Sequence, residues 1–423
     1  MVATVVDTEV VVVGGGLAGL RCGWRLAEAG RSVVVVEAAQ AVGGRERTDE
    51  VDGFLLDRGF QVLNPAYPAV RRWVDLDALE LRPFGAGVLV RRERGLTELS
   101  HPLRHPAGLL ATLRSGLLTP RGVAAMVRWA GPVLAAPRRV VDGPDRPLRE
   151  GLDRVGLAGP LRVEVIEPFL AGVLAEDRGE TSEAFTKLLV RMFALGVPGV
   201  PARGIRALPE QLAAAAVRAG ADLRLGEAVV EVSGGVSSAV VRLAGGERLA
   251  ARAAVVAVGP EAVGGLLDVL PPRTRGLQTW WFAAGERPTA STMMAVDGRR
   301  RGPVVNTAVM TNAAPELAPP GRHLVQATCL LPASADAAAT EAEVRRQVGE
   351  VYGVDTTGWQ LVHRHDIRHA LPAQPPPLRT TSPARVSPSV YVCGDHRDTA
   401  SIQGALVSGH RVAGAVLADL ASA

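Results

Sequence analysis

Lysine is almost missing from this 423-residue chain: Lys187 stands alone among 47 basic side chains, and the rest are arginine. The arginines run along the whole sequence, with Arg299-Arg300-Arg301 the longest cluster. A net charge of +4 spread this way is not the concentrated stripe that a nucleic-acid binder needs, so nucleic acid is excluded as an expected partner. Cysteine is scarce too. Cys22, Cys329 and Cys393 are far apart, which excludes a CxxC pair and zinc-type spacing, and an odd, low count fits a reducing compartment. No run of about 18 uncharged apolar residues is present, so a spanning helix is not expected. The first residues carry Asp7 and Glu9 and no leading positive charge, unlike a signal peptide. A cytoplasmic location is the expectation. No GxSxG elbow exists, which leaves Ser-His-Asp hydrolysis without support.

Apolar residues make up 47% of the chain, enough for a sizeable core, and the length suits two domains or one nucleotide domain with a large insertion. Residues 9–13 form an apolar run suited to a buried parallel strand. Gly14-Gly15-Gly16-Leu17-Ala18-Gly19 follows at once, then a helical stretch to about Ala29 that Gly30 is placed to end. Residues 32–37 read as a second buried strand closing on Glu37, with Ala38 next to it as a further candidate cofactor contact. Gly14 permits the tight turn, Gly16 leaves room for a pyrophosphate, and Gly19 lets helix and strand pack closely. The helix N-terminus offers free N–H groups and a favourable dipole to phosphate. Glu37, 23 residues after Gly14, can accept hydrogen bonds from both ribose hydroxyls and repels a 2′-phosphate.

This fingerprint alone does not separate NAD from FAD. The next segment does. Gly43-Gly44-Arg45 supplies a second glycine turn with an arginine that can reach the same pyrophosphate. Asp57-Arg58-Gly59-Phe60-Gln61 follows, and Cys393-Gly394-Asp395 with Ser401-Ile402-Gln403-Gly404-Ala405 lies near the other end. In this order the motifs resemble the superfamily of flavin-containing amine oxidases, protoporphyrinogen oxidases and phytoene desaturases. Gly204–Leu212, Val229 and Ala254–Val258 resemble that group's central segment. The likeness is strong at both ends and in the middle, and weak over about 76–200 and 270–360.

The resemblance implies an α/β fold: a Rossmann-type FAD domain, discontinuous over 5–75, 203–268 and 384–423. A mixed α+β substrate domain is inserted over 76–202 and 269–383. It implies non-covalent FAD, since the loop 370–378 offers no Cys, His or Tyr to the flavin. It assigns the adenine contact to Val229 and the ribityl contact to Asp395. A helix starting near Gln403 would aim its N-terminus, with Ile402 and Ala405, at the flavin N1–C2=O edge. Gln61 and Ser401 fall near the flavin and are the candidates for a part in the chemistry.

Proline pairs at 271–272 and 319–320 and the triplet 375–377 mark turns, the runs 304–310 and 324–330 read as strands, and the Ala-rich tract 333–342 is expected to begin a helix. The stretch 106–136 alternates apolar residues with arginine; packing as a cap over the flavin is expected, and a membrane surface is its alternative partner. His363, His365 and His369 share one face of a strand, but no cysteine is near and no metal is expected. His396 is expected to face solvent.

Only one GxGxxG sits between a strand and a helix, so NAD(P)H is not the expected reductant, and electrons pass to oxygen, a quinone or another carrier. The amine oxidases of the resembled group flank the flavin with two aromatics and hold a water with a lysine from a later strand, roughly where Met293–Met310 lies here. Lys187 is elsewhere, and one of the two aromatic positions falls at Ser401. The expected reaction is therefore dehydrogenation of a largely apolar small molecule at a carbon–carbon bond. Amine oxidation, non-redox isomerisation and flavin binding without turnover are the alternatives.

Overall fold

A computed structural model describes residues 8–101, 104–332 and 338–422. Asp7 and residues 5–7 of the expected FAD unit lie outside them, as do residues 333–337 of the Ala-rich tract. The helix after that tract, Glu341–Tyr352, begins at a Thr340–Glu343 capping box.

Four consecutive valines make the centre of the first layer. Val10–Val13, in the strand Thr8–Val13, are all essentially buried, as a parallel strand covered on both faces must be. This strand pairs in parallel with Val33–Glu37 on one side and Arg248–Val256 on the other. Asp222–Leu225 extends the sheet beyond Val33–Glu37. The C-terminal half of Arg248–Val256 takes Val390–Val392 as a parallel neighbour, while its N-terminal half pairs antiparallel with Ala239–Leu243. Helices Leu17–Glu28 and Ile402–Ser422 pack together over this sheet, where Cys22, Leu26, Val412 and Val416 close one core. The expected elements at 9–13, 17–29 and 32–37 are thus present within a residue or so.

The second layer is a seven-stranded sheet in the order Gln360–Pro372, Thr274–Ala284, His323–Leu331, Val304–Val309, Ala295–Asp297, Gly87–Arg92, Gly95–Ser100. The expected strands at 304–310 and 324–330 are in its middle. The segment after residue 76 gives more than helices: its hairpin 87–100 joins this sheet, and Gly87–Arg92 pairs in parallel with Ala295–Asp297. Helices between residues 109 and 195 close over one end.

Asp57 ties the layers' connecting segments. Its buried carboxylate accepts from Thr48 Oγ1 at 2.6 Å and from the Ile205 N–H at 2.9 Å. Burial raises this carboxyl to about 7, against the lowering effect of those bonds.

Candidate functional site

The glycine turns meet at the C-terminal ends of the parallel strands, the place where α/β sheets bind ligands. Gly14 has φ +111°, and a Cβ there would lie 2.8 Å from the Ala257 carbonyl oxygen. A Cβ on Gly19 would lie 2.0 Å from the Gly14 oxygen, so the helix can press on its own entry turn only with glycine there. No side chain caps the N-terminus of Leu17–Glu28, which leaves its first N–H groups for a ligand. The second turn docks on the first through the Gly43 N–H and the Gly15 oxygen at 2.9 Å, and Gly44 lies against Gly16.

Glu37 is fixed by both oxygens: Oε2 accepts the Gly15 N–H at 2.7 Å and Oε1 the Ala39 N–H at 2.9 Å. Each oxygen keeps a lone pair for a ribose hydroxyl. Ala38 lies between the two anchors. Val229 begins its strand two residues after Glu227, whose N–H bonds the Glu37 carbonyl, so it borders the same strip.

Beyond this strip lies a cavity of about 1030 Å³ between the two layers. Gly44, Arg45, Gly59, Phe60, Gln61, Asp395, Ser401 and Ile402 line it, so the two ends of the chain converge as the motifs imply. Arg45 donates to Asp395 Oδ1 at 2.5 Å and to the Ala370 oxygen at 3.1 Å. Burial works against its charge, but Asp395 and Glu46 more than offset this and hold its pKa above the ordinary value. Gln61 donates to the Arg58 oxygen at 3.1 Å, and Ser401 caps the last helix through the Gly404 N–H at 3.1 Å. Gln403 and Ala405 do not line the cavity; Gln403 instead accepts the Ala69 N–H at 2.8 Å.

Two groups here were missed by the motifs. Glu46 lines the cavity beside Arg45, and burial raises its carboxyl to about 7 despite the opposing pull of Arg45. His396 corrects an expectation: both ring nitrogens are shielded from solvent without a hydrogen-bond partner among the described residues. Burial lowers its pKa to about 4, so the ring is neutral at pH 7. Its neighbour Gly394 has φ +152°, and a Cβ there would strike the ring.

The histidine strand holds no metal cluster among the described residues. His365 is instead occupied on both sides, accepting from Trp281 Nε1 at 3.2 Å and bonding Asp49 at 3.0 Å. Arg58 clamps the same Asp49 carboxylate with two bonds of 2.8 Å. This chain fastens the edge strand Gln360–Pro372 to the hairpin at 48–57. Lys187 does not line the cavity; it pairs with Glu183 at 2.7 Å.

Two facing glycine turns, an arginine and an uncapped helix end make the donor set that a dinucleotide diphosphate needs, and the anchored Glu37 carboxylate is the acceptor for its ribose hydroxyls. The model of the flavin-containing amine oxidoreductase family matches residues 17–417, and the chain belongs to that family. FAD is the cofactor this family's site holds. A putrescine oxidase of Kocuria rosea is 43% identical over 77 residues, which are 18% of this chain and 16% of that protein. An L-amino-acid oxidase of Pseudechis australis is 40% identical over 78 residues, 18% of this chain and 15% of the relative. These matches therefore span under a fifth of the relatives' lengths. Among solved structures, an oxidoreductase from Methanosarcina mazei superposes with a TM-score of 0.75 at 19% identity, covering 96% of this chain and 99% of the other. A protein from Exiguobacterium sp. 255-15, assigned as a protoporphyrinogen oxidase, gives 0.71 at 19% identity, covering 98% and 99%. At such identity these likenesses speak to the fold.

Proposed function

We propose that this protein is an FAD-dependent oxidoreductase that dehydrogenates a largely apolar small molecule at a carbon–carbon bond, with oxygen or a quinone taking up the electrons. In this reading FAD is held non-covalently by segments 5–75, 203–268 and 384–423. The substrate lies between 76–202 and 269–383.

The carrying observation is the far wall of the cavity. Every lining residue between 126 and 198 is apolar or glycine, with Trp129, Leu161, Ile166, Phe169, Leu189 and Phe193 the largest. An ammonium group pressed into that wall would lose its hydration with no carboxylate to replace it. The cavity's acids, Glu46, Asp49, Glu261, Asp366 and Asp395, belong to the opposite side, on the segments 46–49, 261 and 395 and the edge strand Gln360–Pro372. Bound FAD supplies a two-electron acceptor. The chain's part is to bind the substrate by its apolar surface, exclude water and place the bond to be oxidised near Gln61 and Ser401. The N-terminus of Ile402–Ser422 favours negative charge at the site it faces.

Amine oxidation is the second reading, favoured by the putrescine oxidase likeness. An anaerobic screen of amines, polyenes, tetrapyrroles and cyclic ketones against the flavin absorption band separates the two. Rapid bleaching is expected with an apolar compound and not with putrescine. Efficient bleaching by putrescine or another simple amine overturns the proposal.

The helices over the cavity serve as a cap and carry a second apolar face. Gly122, Ala125, Trp129 and Val133 of Pro120–Ala135 face inward. Leu110, Leu113 and Val127 are 57%, 60% and 63% exposed. No acid occurs from residue 99 to 141, while Arg104, Arg114, Arg121, Arg128, Arg138 and Arg139 do. Apolar side chains in a segment whose own charges are all cationic, with the adjoining Glu98 paired to His105, suit an anionic bilayer surface from which an apolar substrate can enter. Among the described residues no helix is long and apolar enough to cross a membrane. Co-sedimentation with phosphatidylglycerol vesicles is expected, falling on the order of 10-fold in a Leu110→Glu/Val127→Glu variant, since two charges at about 1 kcal/mol each shift the partition by that order. Equal recovery of the two proteins with the vesicles would refute the contact.

A further inference from the structure

The floor of the cavity is the seven-stranded sheet, and one line of polar side chains crosses it. Asn306 pairs with Thr328, Thr328 with Thr279, and Thr279 with His365, each on the next strand. Direct cross-strand neighbours lie on the same face, so the four side chains form a row across the sheet that faces the apolar wall of residues 126–198. Asn306, Thr328 and His365 line the cavity.

The row is internally ordered by hydrogen bonds. The Thr328 hydroxyl donates to Gln326 Oε1 at 3.0 Å, and Gln326 Nε2 donates to Asn306 Oδ1 at 3.1 Å. This polarity turns the Asn306 amide so that Nδ2 is its open end. No hydrogen bond among the described residues takes the Nδ2 hydrogens, although Asn306 is only 3% exposed. The space it occupies is left by a glycine: a Cβ on Gly172, in the facing helix Glu167–Leu174, would lie 2.1 Å from Asn306 Nδ2. Gly172 also lines the cavity, among Phe169, Leu170 and Val173.

Nδ2 opens to the cavity with no protein acceptor among the described residues, and a bound molecule that displaces solvent from it costs free energy unless it accepts from it. A hydrocarbon offers no acceptor. A carbonyl or ether oxygen does, and the apolar wall accommodates the rest of such a molecule. We propose that Asn306 is a specificity-determining residue that selects, among apolar molecules, those carrying one acceptor oxygen, and that Gly172 and Gln326 hold its amide in place for this. The proposal rests on the apolar-substrate reading and names the one polar group that the substrate carries.

The test uses the FAD-loaded protein and two probes, geranylacetone and the hydrocarbon of the same skeleton lacking the carbonyl. Binding is read as perturbation of the flavin spectrum. The wild-type protein is expected to bind the ketone about 10-fold more tightly, the ratio that one buried hydrogen bond supports. Asn306→Leu is expected to reduce that ratio below about 2-fold while keeping hydrocarbon affinity. Asn306→Asp, which presents an acceptor, is expected to lose the ketone but keep the matching secondary alcohol. Gly172→Ala, which crowds the amide from the opposite wall, is expected to lose ketone preference with Asn306 intact. Flavin content and thermal melting of each variant report folding separately. Equal affinity of the wild-type protein for both probes, or an unchanged ratio in Asn306→Leu, overturns the assignment while leaving the apolar reading intact. Failure of both probes to bind the wild-type protein overturns the apolar reading and this proposal with it.

Discussion

Gly19→Ala protein is expected to purify colourless, with FAD affinity reduced on the order of 100-fold or more. The added methyl would sit 2.0 Å from the Gly14 oxygen and 3.1 Å from the Ala257 side chain. Neither neighbour can yield easily, because Gly14 is itself wedged against the Ala257 backbone at φ +111°. The helix Leu17–Glu28 must therefore lift from the strand Thr8–Val13, and its first N–H groups leave the line of the two glycine turns. Gly30→Ala is the control. Gly30 has φ +76°, but a Cβ there meets nothing within 4 Å. Its cost is the left-handed backbone alone, about 1 kcal/mol, and it lies at the far end of the same helix. That variant should melt slightly earlier and remain yellow. Flavin content after gel filtration, beside circular dichroism, separates cofactor loss from unfolding. Full flavin occupancy in folded Gly19→Ala protein would show that the first turn does not hold the diphosphate as described.

The FAD side of the fold was readable because its chemistry is local. Strand, glycine turn, helix and acid lie within residues 9–37, where each spacing has one geometric meaning. Sheet order was less readable, since no local pattern says that Gly87–Arg92 will lie beside Ala295–Asp297, some 200 residues away, on the second sheet. Pairing of this kind is decided by side-chain packing across the whole sheet. The His363–His369 strand shows the same limit. Its alternation was visible, but the partners that turn His365 into a structural clamp, Trp281 and Asp49, come from two other segments. His396 was misread for a related reason. A histidine following Gly-Asp is polar by type, yet the turn folds it into the protein, where both nitrogens are dry. Asn306 carried no signal in the sequence, because what singles it out is the absence of a side chain at Gly172 on a different element.

FAD retention is expected to weaken as pH rises through about 7, and Glu46 is the reason. Its carboxyl lines the cavity directly after the Gly43-Gly44-Arg45 turn, on the strip assigned to the diphosphate. Burial raises its pKa to about 7; Arg45 opposes the rise and Asp395 adds to it. Glu261 and Asp395 are the other carboxylates lining this region, Arg45 is the cation that faces it, and His396 is neutral above about pH 4. The sign follows from proton linkage. Below pH 7 Glu46 is neutral in the free protein and stays neutral when a dianionic diphosphate arrives, so affinity does not depend on its titration. Above pH 7 the free protein carries a carboxylate there. Binding then requires either proton uptake or tolerance of the repulsion, and affinity falls by up to about tenfold per pH unit. The same group affects stability in the same direction: a carboxyl raised in the folded state destabilises the fold as pH rises from its unfolded value to about 7. Glu46→Gln removes the titrating proton and should flatten the dependence, with tighter FAD binding at pH 8.5 and little change at pH 6. Reconstitution of apoprotein with FAD from pH 6 to 9, followed by quenching of flavin fluorescence, measures both curves. Parallel curves for the two proteins would mean that Glu46 does not face the cofactor.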